Sequence, residues 1–122
     1  MIPAAKNRIL IVEDEGDLCL LLELILSDGK TAIDHVKNLK AAKEFLKVQQ
    51  PNLIVLDNRL PDGFGIDFLP FIKDHYPSVR VIMISGKDGA IKDLALENGA
   101  NIFLSKPFSK DTLYTSVNAL LN

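Results

Sequence analysis

The chain has 122 residues, 48% of them hydrophobic and 25% charged, with a formal net charge of −2. That suits one globular domain with a single core, is short for two, and gives no broad electrostatic preference for nucleic acid or membrane. A single cysteine, Cys19, excludes an internal disulfide, no apolar run approaches the ~20 residues of a membrane span, and no targeting segment is recognisable, so a cytoplasmic protein is expected.

Residues 1–7 read as a loose lead-in and residues 8–122 as the domain. Arg8–Val12, "RILIV", is the first strand. Gly16–Asp28 has helical length, with Leu18, Leu21, Leu22 and Ile25 as its inner face, Cys19 as a packed thiol and Gly29 as its terminator. Thr31–Val36 is a weak second strand. Leu39–Gln50 carries Leu39, Ala42, Phe45 and Leu46 at helical spacing and then meets Pro51. Asn52–Leu56, "NLIVL", is the third strand. Ile66–Tyr76 is helical, with Pro70 either opening the first turn or kinking it. Val79–Ile84 is the fourth strand, Ala90–Asn98 a helix stopped by Gly99, and Asn101–Leu104 the fifth strand. Ser109–Leu121 is the last helix, with Ser109 as its cap. His35 and His75 read as surface residues without partners, poor candidates for phosphohistidine or metal chemistry.

Five strands thus alternate with five helices, and the near-continuous apolar runs of strands one, three, four and five need helices on both faces. Right-handed crossovers give a doubly wound, open parallel sheet. Ligands of such sheets bind outside the carboxyl ends of the strands, where strand order reverses. The residues at those ends are Glu13, Asp14 and Glu15; Asp57; Ser85, Gly86 and Lys87; and Ser105, Lys106 and Pro107. If these ends are neighbours, acids, a hydroxyl and a lysine share one crevice.

Two carboxylates ~5 Å apart repel by roughly 3 kcal/mol at an effective dielectric of ~20. A hard divalent cation relieves this, and Mg²⁺ takes carboxylates, carbonyls, water and phosphate oxygens. A carboxylate, a metal and a lysine together suit a phosphoryl group transferred onto the carboxylate.

The segments "ILIVEDE", "LIVLDNRLPDGFG", "VIMISG" and "GANIFLSKPF", in this order and spacing, resemble the receiver domain of two-component response regulators over essentially the whole chain. The resemblance implies a flavodoxin-like strand order 2-1-3-4-5. It implies that Asp57 is the phosphoacceptor, served by a sensor histidine kinase or phosphotransfer protein. Mg²⁺ (or Mn²⁺) would be held by Asp14, Asp57 and the Arg59 backbone carbonyl, with Glu13 acting through water. Lys106 and Ser85 would stabilise the phosphoryl group, Ser85 and Phe103 would form the switch, and Pro107, with a cis Lys106–Pro107 bond, and Gly86 would shape the site. Arg59 and Lys87 would modulate phosphoryl lifetime. The surface of the fourth helix, fifth strand and fifth helix would dock effectors or a second receiver, with no direct contact to nucleic acid or membrane. Such a domain catalyses only its own phosphorylation and dephosphorylation. The Ser85-to-Gly99 stretch is one residue tighter than the family pattern, and Phe103 stands where Tyr is more usual.

Three other functions compete. An aspartate-nucleophile phosphatase wants a second acid two residues beyond the nucleophile, where this chain has Arg59. A flavin or nucleotide module wants Gly or hydroxyls after the first strand, where this chain has "EDEGD". A pseudo-receiver scaffold has no need of the full set of acids, hydroxyl and lysine. Singly, Asp57 reads as a strand-end or capping acid, Glu13–Glu15 as a solvated loop, Lys106 as a surface lysine, Ser85 as a loop hydroxyl and Phe103 as a core ring.

Overall fold

The computed structural model describes residues 7–86 and 90–121. Its elements, in order, are β1 (Asn7–Val12), α1 (Gly16–Leu26), β2 (Thr31–Val36), α2 (Leu39–Val48), β3 (Leu53–Asp57), β4 (Arg59–Leu60), β5 (Gly63–Phe64), α3 (Gly65–His75), β6 (Arg80–Ser85), α4 (Ala90–Glu97), β7 (Ile102–Ser105) and α5 (Lys110–Leu121). The main sheet runs β2-β1-β3-β6-β7, all parallel. Setting aside the two-residue antiparallel ribbon β4-β5, this is the expected order 2-1-3-4-5.

Alternation along the strands fills two cores. Leu10, Val12, Ile54, Leu56, Val81 and Met83 face α2, α3 and α4. Ile9, Ile11, Leu53, Val55, Ile82 and Ile84 face α1 and α5. Leu53–Leu56 are all 0% exposed. Burying each such side chain is worth ~1.5–3 kcal/mol, and a one-residue slip of β3 would exchange its two faces. The strand is therefore locked in register, and Asp57 is carried to its tip whatever the cost of partly drying that carboxylate.

Caps set the helix starts. The Ser109 hydroxyl accepts from the Thr112 amide at 3.0 Å, as the sequence suggests. Asn38 Oδ1 accepts from Ala41 N at 2.7 Å and begins α2. Asp62, in the β4-β5 turn, adds a second cap to α2, its two oxygens accepting from Leu39 N and Lys40 N at 2.9 Å each.

Several expectations are corrected. β1 begins at Asn7. The buried residues of α1 are Cys19, Leu22 and Leu26, with Leu18 and Ile25 packed beside them as expected; only Leu21 departs from the expected face and stands half exposed. Leucines surround this helix, so its sequence carries little directional signal, and packing against β2 and α5 chooses the face. α1 ends at Leu26 with Ser27 as its cap. Gly29, at φ +76°, belongs instead to the turn in which the Asp28 carboxylate accepts from Lys30 N and Thr31 N. Pro70 does not open α3; it lies in the second turn with its ring in solvent, and the helix continues past it to His75. Neither histidine is partnerless: His35 Nε2 is 2.9 Å from the Glu13 carbonyl oxygen, and His75 Nδ1 is 3.0 Å from that of Phe71, whose ring it stacks on.

Candidate functional site

Four strand ends assemble the site. β1 stops at Val12 because Glu13, whose amide donates to the Val36 carbonyl at 3.0 Å, starts the turn into α1. β3 ends on Asp57, paired in register with Ile84 of β6. β6 ends on Ser85, paired with Ser105 of β7, and the Ser85 carbonyl accepts from Lys106 N at 2.7 Å. Lys106 is thereby fixed one residue past β7, joined to Pro107 by the expected cis peptide bond.

The side chains converge as the sequence anticipates. Lys106 Nζ lies 3.1 Å from Asp57 Oδ1 and 3.6 Å from Glu13 Oε1. Carboxylate oxygens of Glu13, Asp14 and Asp57 all lie within 4.8 Å of one another. Asp14 is exposed, whereas Glu13 is completely buried and Asp57 is 5% exposed. Burial pushes the Glu13 carboxyl up to about 9 from 4.5; hydrogen bonding of its protonated form to Asp57 and the nearby Asp57 charge add to this, and Lys106 opposes it. Ionised, neither Glu13 oxygen has a hydrogen-bond donor. A buried carboxylate without donors, beside two other acids, is a donor set that fits a hard divalent cation.

Ser85 is buried at the tip of β6, one residue past the partner of Asp57. An added Cβ at Gly86 would meet nothing within 4 Å, so that side of the crevice is open. Phe103, on β7, is half buried and packs against the α2–α3–α4 core. Arg59 is exposed on β4, opposite Phe64. Lys87 lies outside the described residues.

One positioning residue escapes a reading of the sequence. Asn58 is 5% exposed, directly after Asp57. Its amide donates to the Ile84 carbonyl at 3.1 Å, its carbonyl accepts from Gly65 N at 2.7 Å, and its Oδ1 accepts from Ile66 N at 3.1 Å. Phe64 offers α3 no side-chain cap, so Asn58 supplies one from eight residues upstream. That binds β3, β6 and α3 into one unit. The signal was an Asn set between a buried strand and a turn, a place where its side chain can satisfy exposed amides.

Comparison with known proteins gives the family and the fold. The family described as the response regulator receiver domain matches residues 9–118. The response regulator protein PilR of Pseudomonas aeruginosa is 39% identical over 106 residues, covering 84% of this chain and 23% of PilR. The chemotaxis protein CheY of Bacillus subtilis is 31% identical over 119 residues, covering 95% of this chain and 98% of CheY. The chain thus spans under a quarter of one relative and nearly all of the other. Among solved structures, the beryllofluoride-activated NtrC4 receiver domain dimer superposes with a TM-score of 0.88 at 34% identity, covering 93% of this chain and 95% of that one. The receiver domain of NtrX from Brucella abortus gives 0.86 at 32% identity, covering 93% and 97%.

Proposed function

This chain belongs to the response regulator receiver domain family, and from that premise we propose that it is a phosphorylation-controlled switch whose acceptor is Asp57. The observation that carries this reading is the pairing of the Asp57 carboxylate with Lys106 at 3.1 Å, beside two further acids, at the open carboxyl edge of the sheet. A sensor histidine kinase or phosphotransfer protein presents a phosphohistidine. An Asp57 oxygen attacks the phosphorus, the P–N bond breaks, and its electron pair leaves with the imidazole, so Asp57 becomes an acyl phosphate. Asp14, Asp57 and the Arg59 carbonyl, with Glu13 through water, would hold Mg²⁺ (or Mn²⁺), which would supply the positive charge that lets these acids and a phosphoryl group share the crevice. The Lys106 ammonium then moves its ion pair from the Asp57 carboxylate to a phosphoryl oxygen.

Ser85 then hydrogen-bonds the phosphoryl group, and Phe103 relays the change to the surface of α4, β7 and α5. On that surface α4 carries exposed Leu94 and Leu96, apolar area suited to an effector or a second receiver. Gly86 and Pro107 shape the pocket, and Arg59 and Lys87 set phosphoryl lifetime. The chain catalyses only its own phosphorylation and dephosphorylation. No helix among the described residues is long and apolar enough to cross a membrane.

Acetyl phosphate with Mg²⁺ should add one phosphoryl group, read as a single increment in intact mass and mapped to Asp57. Asp57→Asn should remain unmodified. Equal modification of Asp57→Asn and the parent would overturn the assignment, and steady turnover of a phosphate ester would favour a phosphatase instead.

A further inference from the structure

A second group of ligating side chains lies on the α1 side of the sheet. One ligand atom each from Cys19, Glu23 and His35 all fall within 4.8 Å of one another. Two periodicities bring them there. Cys19 and Glu23 are four residues apart on α1, so they stack on one face of the helix. Ile33 packs into the core layer that holds Cys19 and Leu22, and alternation along β2 sends His35, two residues on, to the same side.

The imidazole is already anchored. Its Nε2 is 2.9 Å from the Glu13 carbonyl oxygen. A carbonyl only accepts, so Nε2 carries the proton in the neutral ring and Nδ1 keeps a lone pair. Metal-ligating histidines are held in this way, one nitrogen on the ion and the other donating to a carbonyl. Cys19 is 3% exposed, but Glu23 and His35 are only partly buried, which leaves an ion a path inward.

We propose that Cys19, Glu23 and His35 form a second cation site, of the class that takes Zn²⁺, with water completing a tetrahedron. A sulfur, nitrogen and carboxylate set suits zinc and not Mg²⁺, which takes oxygen donors. The two clusters therefore sort cations by hardness, one on each side of Glu13. Burial, then the negative charge of Glu23 and Glu13, push the Cys19 thiol up to about 11, so the metal-free cluster holds a neutral thiol. On binding, the S–H bond breaks, a Zn–S bond forms, and one proton is released to solvent. The ion would pin α1 to β2 directly beneath the residue that supplies the buried acid of the phosphoryl site.

Cobalt is the probe. One equivalent of Co²⁺ added to the full chain under reducing conditions, with Mg²⁺ in large excess, should give a thiolate-to-cobalt charge-transfer band and the visible bands of tetrahedral Co²⁺. Zn²⁺ should remove both in a one-to-one titration. Cys19→Ser should lose the charge-transfer band, and His35→Gln the tetrahedral visible bands, with circular dichroism confirming that each is folded. Absence of the charge-transfer band in the parent chain overturns the proposal outright, whatever the variants do. So does its persistence in Cys19→Ser, or its loss when Mg²⁺ alone is raised.

Discussion

Replacing Gly65 by Ala tests how tightly β3, the strand that ends on Asp57, is held. Gly65 opens α3, and its amide reaches the Asn58 carbonyl at 2.7 Å. A Cβ there would collide with the Asp57 backbone oxygen, and would stand 3.0 Å from Leu56 Cγ and 3.3 Å from Asn58 Cα. None of these atoms can yield cheaply, because β3 is fixed between β1 and β6 and Asn58 N is bonded to Ile84 O. Overpacking against such a wall costs ~1–3 kcal/mol, and loss of the Gly65–Asn58 hydrogen bond adds about 1 kcal/mol. The expected loss is therefore roughly 2–4 kcal/mol. With an unfolding entropy of about 2.1 cal/mol/K per residue, a chain of this length loses ~4 °C of melting temperature per kcal/mol, so the midpoint should fall by ~8–16 °C. Gly16→Ala is the control. It sits at the start of α1 with nothing within 4 Å of the added Cβ, and should gain ~0.4–1 kcal/mol from the unfolded state. Thermal melts by circular dichroism read both. A Gly65→Ala midpoint within ~2 °C of the parent, or one no lower than that of Gly16→Ala, would refute the claim that α3 is pressed onto β3.

Glu13 gives the metal-free protein a pH dependence. Its carboxyl is held up at about 9 when folded against 4.5 ordinarily, so between these values the native state keeps a proton that the unfolded chain releases. The associated stability is complete below about pH 4.5 and is lost as pH rises toward 9, at up to ~1.4 kcal/mol per pH unit. Urea unfolding at stepped pH should show this fall and should show it flattened in Glu13→Gln; an identical slope in the variant would contradict the assignment to Glu13. Asp62→Ala should cost about 1 kcal/mol by uncapping α2. The loss should be accompanied by faster amide exchange at Leu39 and Lys40, and unchanged exchange there would mean that the cap contributes nothing.

The sheet was legible because strands covered on both faces leave runs such as Leu53–Leu56 with no polar interruption. The site was legible for a related reason. In this topology chemistry gathers where strands end, so Glu13, Asp14, Asp57, Ser85 and Lys106 could be read jointly from their positions alone. What stayed hidden depends on contacts distant in the chain. Asp62 caps a helix 22 and 23 residues upstream of it, and nothing local marks it as more than a turn acid. Asn58 serves α3 across a ribbon that has to form first. His35 looked solitary because its partners, the Glu13 carbonyl and the α1 side chains, become neighbours only after β1 and β2 pair. On α1 only Leu21 was placed on the wrong side, because leucines at 18, 20, 21, 22 and 24 leave no polar stripe by which to orient it.

The strand registers carry a consequence for how such a chain tolerates change in length. Asp57, Ser85 and Lys106 each sit at a fixed count from register pairs on their neighbours. Within β7, Phe103 and Leu104 already serve opposite layers. Deleting one residue there would exchange those layers and draw the lysine back by ~3.3 Å, about its present separation from the acid it serves. Insertions can be absorbed at the opposite edge of the sheet, for instance between α2 and β3 or between α3 and β6, where the chain only has to return. The molecule thus behaves like a combination lock whose wheels are its strands: composition may drift, but the count to each working residue may not.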